Sequence, residues 1–224
     1  MQGSVTAVFA GKPKRMEDAR GTWVSSIFRN PVRGPVRVGL RGIEGDGVAQ
    51  PYHGGPDAAL CAHLTDHYNF WNTHYAMQLE AGNVGENITL DSVTEEDVCA
   101  GDIVRLGTVL AQVSGPRIPC TNQARRVGRS DWVKLTIREN RTGFYLRVLE
   151  AGMLEAGDPY TVEERLNPAG AIPAINRCAY FRFDSEFAKR MLQMQGLAEW
   201  WKQKMRERLA EEDFESSDAA AVSP

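Results

Sequence analysis

In the stretch SGPRIPCTNQARRVGR, residues 114–129, Cys120 lies between the prolines Pro116 and Pro119 and a cluster of arginines, Arg117, Arg125, Arg126 and Arg129. Cationic neighbours push a thiol toward thiolate, and a thiolate is either a nucleophile or a soft metal ligand. The prolines remove backbone freedom, so the loop is pre-ordered at little further entropic cost. Thr121 can open a helix that closes at Gly128, which sets Cys120 at the helix start, where free N–H groups favour negative charge. The competing reading of this stretch alone is an ordinary buried cysteine in a turn with solvated arginines beside it.

A second stretch points to a site. GIEGDGVAQPYHGGPDAAL, residues 42–60, gathers five glycines, three acids and His53 in a segment too long and too glycine-rich for a plain hairpin. Long irregular loops in compact domains are usually functional. Gly54 and Gly55 let backbone come close to a ligand beside the His53 imidazole. In VGENITL, residues 84–90, Glu86 and Asn87 stand at the entrance of a strand, and Asn87 has both donor and acceptor groups for a heterocycle or an oxo ligand.

The elements that hold these residues read mainly as strands. SVTAVFAG, PVRVGL, ENITL, DIVRLG, VLAQVSG, GFYLRVLE and PYTVEER carry β-branched or aromatic residues near period two, with glycine turns bounding several of them. Many short strands without regular intervening helices predict an antiparallel or mixed β-barrel, and no GxGxxG or Walker loop suggests a doubly wound sheet. A few short helices interrupt them: TDHYNFWNTHY from Thr65 with Thr65 as cap, TNQARRVG, and SDWVKLTIRE. After Arg165 the composition changes at NPAGAIP. Three helical patterns follow, with Asp184 as an N-cap, Gly196 as a stop, and Phe187, Met191 and Met194 along one face. The division expected is a barrel over 1–166, a small three-helix domain over 167–214, and a disordered tail over 215–224.

Composition narrows the function classes. A formal charge of -3 over 224 residues argues against gripping a nucleic-acid backbone, so any anionic ligand has to be met locally. No run of about 18 apolar residues suggests a membrane span, and a cytoplasmic protein is expected. Cys61, Cys99, Cys120 and Cys178 are widely spaced and show no CxxC motif, so each is expected as a separate reduced thiol. His63 and His67 have a metal-binding spacing, but Thr65 as a cap between them would break their common face.

The order GIEGDG, HGGPD, HYNFW, VGENIT, VCAGDIVRLG, PRIPC, RTGFYLRVLEAG and GDPYTVEER resembles the MOSC domain in its YiiM-type branch, the family named after the C-terminal domain of molybdenum cofactor sulfurases. The resemblance covers about residues 4–165, and the helical tail is similar to the small three-helix domain those proteins carry. It implies a β-barrel that holds a molybdenum cofactor of the molybdopterin type, with Cys120 of the PRxPC motif as the protein ligand to the metal. It also implies reduction of N-hydroxylated compounds such as hydroxylaminopurine to the amine, with electrons from a separate flavin reductase. On this reading Arg117 is the first candidate to meet the anionic cofactor, with Gly54, Gly55, Asn122 and Arg125 as further cofactor contacts. His53, Glu86 and Asn87 would line the substrate side, where two protons are needed. A homodimer is the expected assembly. Ala58 stands where the family usually has lysine, Gly115 where glutamine is common, and ENRTGFY where SGRTGFY is more usual, and these departures touch substrate preference. Two other readings compete: a cofactor or sulfur carrier without turnover, and a cofactor-free thiol enzyme with Cys120 as nucleophile and His53 as base.

Overall fold

Seven strands close on themselves because the first and last of them pair. The computed structural model describes residues 2–49 and 54–221, with backbone alone for residues 213 and 215–221. The chain opens with β1 (Gln2–Ala10), the hairpin β2 (Lys14–Asp18) and β3 (Gly21–Ser25), and the short strands β4 (Asn30–Pro31), β5 (Val36–Gly39) and β6 (Gly42–Ile43). There follow β7 (Leu60–Leu64), α1 (Thr65–Tyr75), β8 (Ile88–Asp91), β9 (Ile103–Leu106), β10 (Val109–Pro116), α2 (Thr121–Val127) and α3 (Trp132–Arg138). The chain continues through β11 (Phe144–Glu150), β12 (Gly152–Leu154), β13 (Pro159–Glu164), α4 (Ile172–Tyr180), α5 (Ser185–Gln193) and α6 (Glu199–Ala221).

The strand order β13-β9-β10-β11-β7-β8-β1 is sealed by β1 against β13, which leaves the ring without free edges. Its pairings are antiparallel except β7 with β8. The predicted mainly β barrel with short helices and a helical C-terminal segment is therefore the observed fold. Its interior follows from strand alternation: Val109, Ala111 and Val113 of β10 and Phe144, Leu146 and Val148 of β11 point inward and are buried. β7 departs from alternation because both of its faces are covered: Leu60, Ala62 and Leu64 join the barrel core, while Cys61 and His63 are buried on the other side.

Thr65 does not cap α1. It is the first helical residue, and its hydroxyl donates to Leu90 O at 3.2 Å instead. Asp184 does cap α5, accepting from the Phe187 N–H at 2.9 Å. Phe187, Met191 and Met194 then pack with Trp201 and Met205 into one apolar cluster of α4, α5 and α6. That cluster leans on the barrel: Ala198 N donates to Ser114 O at 2.8 Å and Trp201 Nε1 to Pro116 O at 3.1 Å. Helix α6 runs to Ala221, so the backbone of 215–221 is helical where the sequence predicts a disordered tail; residues 222–224 lie outside the described residues. None of the described helices is long and apolar enough to cross a membrane.

Candidate functional site

β10 runs out at Pro116 and the chain turns through Arg117, Ile118 and Pro119 into α2, with Cys120 as the residue before the helix. The turn is pinned at both ends. Arg117 N donates to Gly143 O at 2.9 Å, and Cys120 N donates to Gln123 Oε1 at 3.1 Å, with Gln123 itself buried. Gly115 sits at φ 133, and a Cβ there would lie 2.8 Å from Trp201 Cδ1, so the helical segment dictates a glycine where the strand delivers its loop.

The loop borders a cavity of about 460 Å³. Cys120, Asn122, Arg117, Gly54, Gly55 and Asn87 all line it, so most of the predicted site residues converge. Cys120 is part-exposed, whereas Cys61, Cys99 and Cys178 are buried, and none of the four forms a disulfide among the described residues. Gly54 and Gly55 bring backbone to the wall as expected, and Gly55 takes φ 110.

Arg117 is 6% exposed and reaches past the cavity so that Nη2 donates to Val84 O at 2.9 Å, while its buried Nη1 meets no partner within the protein. Burial works against its charge, but Cys61, Tyr145, Cys120 and Glu86 outweigh it and hold the guanidinium above its ordinary value. A buried cation with an open N–H is unfavourable unless an anion meets it. The cavity thus offers a sulfur donor and a cationic donor together, the pair that a metal-bearing anionic cofactor requires.

Two expected positions fall elsewhere, and a third, His53, lies outside the described residues. Glu86 is fully buried outside the cavity wall, accepting from the Tyr68 hydroxyl, Gly82 N and the Thr89 hydroxyl, so it ties α1 to the loop before β8 rather than facing substrate. Arg125 is drawn away from the cavity by the β2–β3 hairpin: its Nε lies 3.2 Å from Asp18 Oδ2 and its guanidinium stands 4.8 Å from the Trp23 ring centroid. Asn87 does line the cavity, but its amide is already engaged. Oδ1 accepts from Cys61 N at 3.1 Å, and Nδ2 donates to Phe9 O at 3.3 Å and Asp46 Oδ2 at 2.9 Å.

Other lining residues are absent from the sequence reading. Asp46 binds Arg29 through both oxygens at 2.8 and 2.9 Å and also accepts from Gly11 N at 2.9 Å, fixing the glycine-rich segment to the barrel. With that pair satisfied, Arg41 and Arg117 leave the described wall net cationic. Cys61 and Tyr145 face each other across β7 and β11 and both line the cavity. Tyr145 stands within the RTGFYLRV motif, which was the available signal; Cys61 lies in a strand without alternation and gave none.

His63 and His67 form a buried edge-to-face pair, with ring centroids 4.8 Å apart and His67 Nε2 3.8 Å from Glu95 Oε1. Burial, then the other nearby cations, keeps both below the ordinary histidine value, His67 at about 3. Among the described residues no group of three or more His, Cys, Asp or Glu side chains is placed to hold a metal.

The sequence profile of the MOSC domain matches residues 49–161. The chain is 34% identical to the protein YflK of Bacillus subtilis over 89% of its own length and 91% of that protein. It superposes on the crystal structure of YiiM from Geobacillus stearothermophilus with a TM-score of 0.79 at 34% identity, covering 92% of this chain and 99% of that one. A protein of Gibberella moniliformis named "Reductase" is 34% identical over 78% of this chain, which spans only 32% of that longer relative. A closed barrel, a PRxPC turn opening on a cavity and this run of relatives make one assignment: the chain belongs to the MOSC domain family.

Proposed function

We propose that this protein is a molybdenum-cofactor-dependent reductase of N-hydroxylated compounds. The observation that carries the reading is that Cys120 and Arg117, a buried arginine whose Nη1 has no partner within the protein, line the same cavity. Cys120 would bind the metal through sulfur, and Arg117 would take the anionic part of the cofactor, with the Gly54 and Gly55 backbone and Asn122 along the same wall. When bound, the cofactor supplies two-electron redox chemistry at the cavity. The protein's part is to hold the walls in register: the Arg29–Asp46–Asn87 bracket fixes the loops on one side, and Trp201 fixes the Pro116 carbonyl on the other.

The overall change consumes two electrons and two protons; the N–O bond breaks, nitrogen ends as an amine and oxygen as water. Electrons come from a separate flavin-type reductase in the cytoplasm. The relative named "Reductase", about a third of which is similar to this chain, supports a reductase activity. The test is reduction of hydroxylaminopurine by the purified, molybdenum-loaded protein with a chemical electron donor. Amine formation that depends on both protein and molybdenum supports the reading. Metal-loaded protein that leaves the substrate unchanged refutes it.

A further inference from the structure

Resting on the reductase reading above, we propose that Tyr145 is the proton donor that converts the departing N-hydroxyl into water, with Arg117 receiving the phenolate charge. Strand geometry places the phenol. Phe144 and Leu146 on either side fill the barrel core, so Tyr145 projects outward, onto the face it shares with its cross-strand partner Cys61. Its partner on the other flank is Gly115, which has no side chain to compete for the space. The Trp200 ring approaches Tyr145 edge-on at 6.1 Å and backs it on the side of α6. Tyr145 lines the cavity with Cys120 and hydrogen-bonds to Arg117.

Among the other described wall residues that carry a proton, Ser25 and Ser26 are weaker acids than a phenol, and the Cys61 thiol is buried and pushed up by that burial. Asn87 and Asp46 are committed to the bracket described above, and arginines retain their protons at any relevant pH. Cys120 is the metal ligand on this reading. Tyr145 is kept protonated by burial first and the Cys61 thiol next, against an opposing pull from Arg117. Transfer from it is favourable: the site holds the phenol above its ordinary value, but water is a weaker acid still, so hydroxide leaving nitrogen takes the phenolic proton downhill.

The step balances. The cofactor, which Cys120 and Arg117 would hold and the separate reductase would recharge, would supply the two electrons that break the N–O bond. The oxygen leaves with the Tyr145 proton as water, and the nitrogen takes its own proton from solvent. Arg117 holds the phenolate until solvent returns the proton.

The experiment compares parent and Tyr145→Phe, both molybdenum-loaded, on an N-hydroxylated purine and on its O-acetyl ester. The ester leaves as acetate and needs no proton on oxygen. The expected result is a kcat lower by about 10²- to 10⁴-fold on the hydroxylamine, with KM and metal content unchanged, and a loss below about tenfold on the ester. Equal kcat on the hydroxylamine, or equal losses on the two substrates, overturns the assignment. A second readout needs no cofactor. In the alkaline absorbance titration of the apo-protein, the phenol missing from Tyr145→Phe titrates later in Arg117→Gln than in parent, and Arg117→Lys restores much of the difference. An unchanged titration in Arg117→Gln also overturns the pairing. If the loaded parent reduces neither substrate, the reductase reading itself has failed and the donor role falls with it; an active parent and an equally active Tyr145→Phe remove the donor role alone.

Discussion

Replacing Trp201 tests whether the helical segment is part of the site. The ring is fully buried, packs against Gly115, and donates its indole N–H to Pro116 O at 3.1 Å, four residues before Cys120. Trp201→Ala removes a large buried side chain and is expected to cost about 3–5 kcal/mol. Trp201→Phe keeps most of the packing but strands the Pro116 carbonyl, which costs about 1–3 kcal/mol. Urea unfolding reads both; with a slope of about 2–3 kcal/mol/M the alanine variant shifts its midpoint by roughly 1–2 M. Cys120 is the one part-exposed thiol among the four, so alkylation in native buffer reports on its loop. It is expected to speed up in both variants as the turn loses its brace. An alanine variant destabilised by less than about 1 kcal/mol, or alkylated at the parent rate, refutes the brace. The sequence pattern alone predicts that removing 168–224 spares cofactor binding. The bonds from Ala198 and Trp201 to β10 predict instead that this truncation loosens the thiol turn and lowers metal content.

Asp46→Ala leaves Arg29 and the Asn87 amide without their acceptor, and a loss of about 3 kcal/mol is expected in the same unfolding assay, together with weaker cofactor retention. Gly115→Ala forces a side chain onto Trp201 at a positive φ and is expected to lower soluble yield or melting temperature more than Gly45→Ala, where a Cβ meets nothing within 4 Å. His67 ionises near pH ~6.5 when unfolded but only at about 3 when folded. The unfolded chain therefore binds the extra proton between these values, and stability falls as pH drops through that window by about 1.4 kcal/mol per pH unit. Urea titrations at pH 7 and pH 5 should show a smaller difference in His67→Gln than in parent; equal slopes contradict the buried neutral ring.

Much of the barrel was legible because β1, β5, β8, β9, β10, β11 and β13 present alternating or β-branched patterns that survive in a chain with one wet face. β7 was not. Its two covered faces erase alternation, and Cys61 was hidden with it. The two-residue strands β4 and β6 are too short for any period, and the β2–β3 hairpin is largely exposed. The turn before α2 was readable from Pro116, Pro119, Thr121 and Gly128, because each acts on its own neighbours. The sequence ranks Arg117 first, and Arg117 does line the wall; that Arg125 leaves it was not readable, because only packing against Asp18 and Trp23 draws it away. Glu86 illustrates the same limit, since a carboxylate beside a glycine reads as a site residue until Tyr68 and Thr89 claim it.

The central claim is that the Cys120 sulfur holds the metal. Parent and Cys120→Ser, expressed in a molybdenum-competent host and purified identically, are to be compared for molybdenum per folded chain. The account predicts metal in the parent and its loss in a variant whose unfolding midpoint is unchanged; equal molybdenum in the two proteins contradicts it.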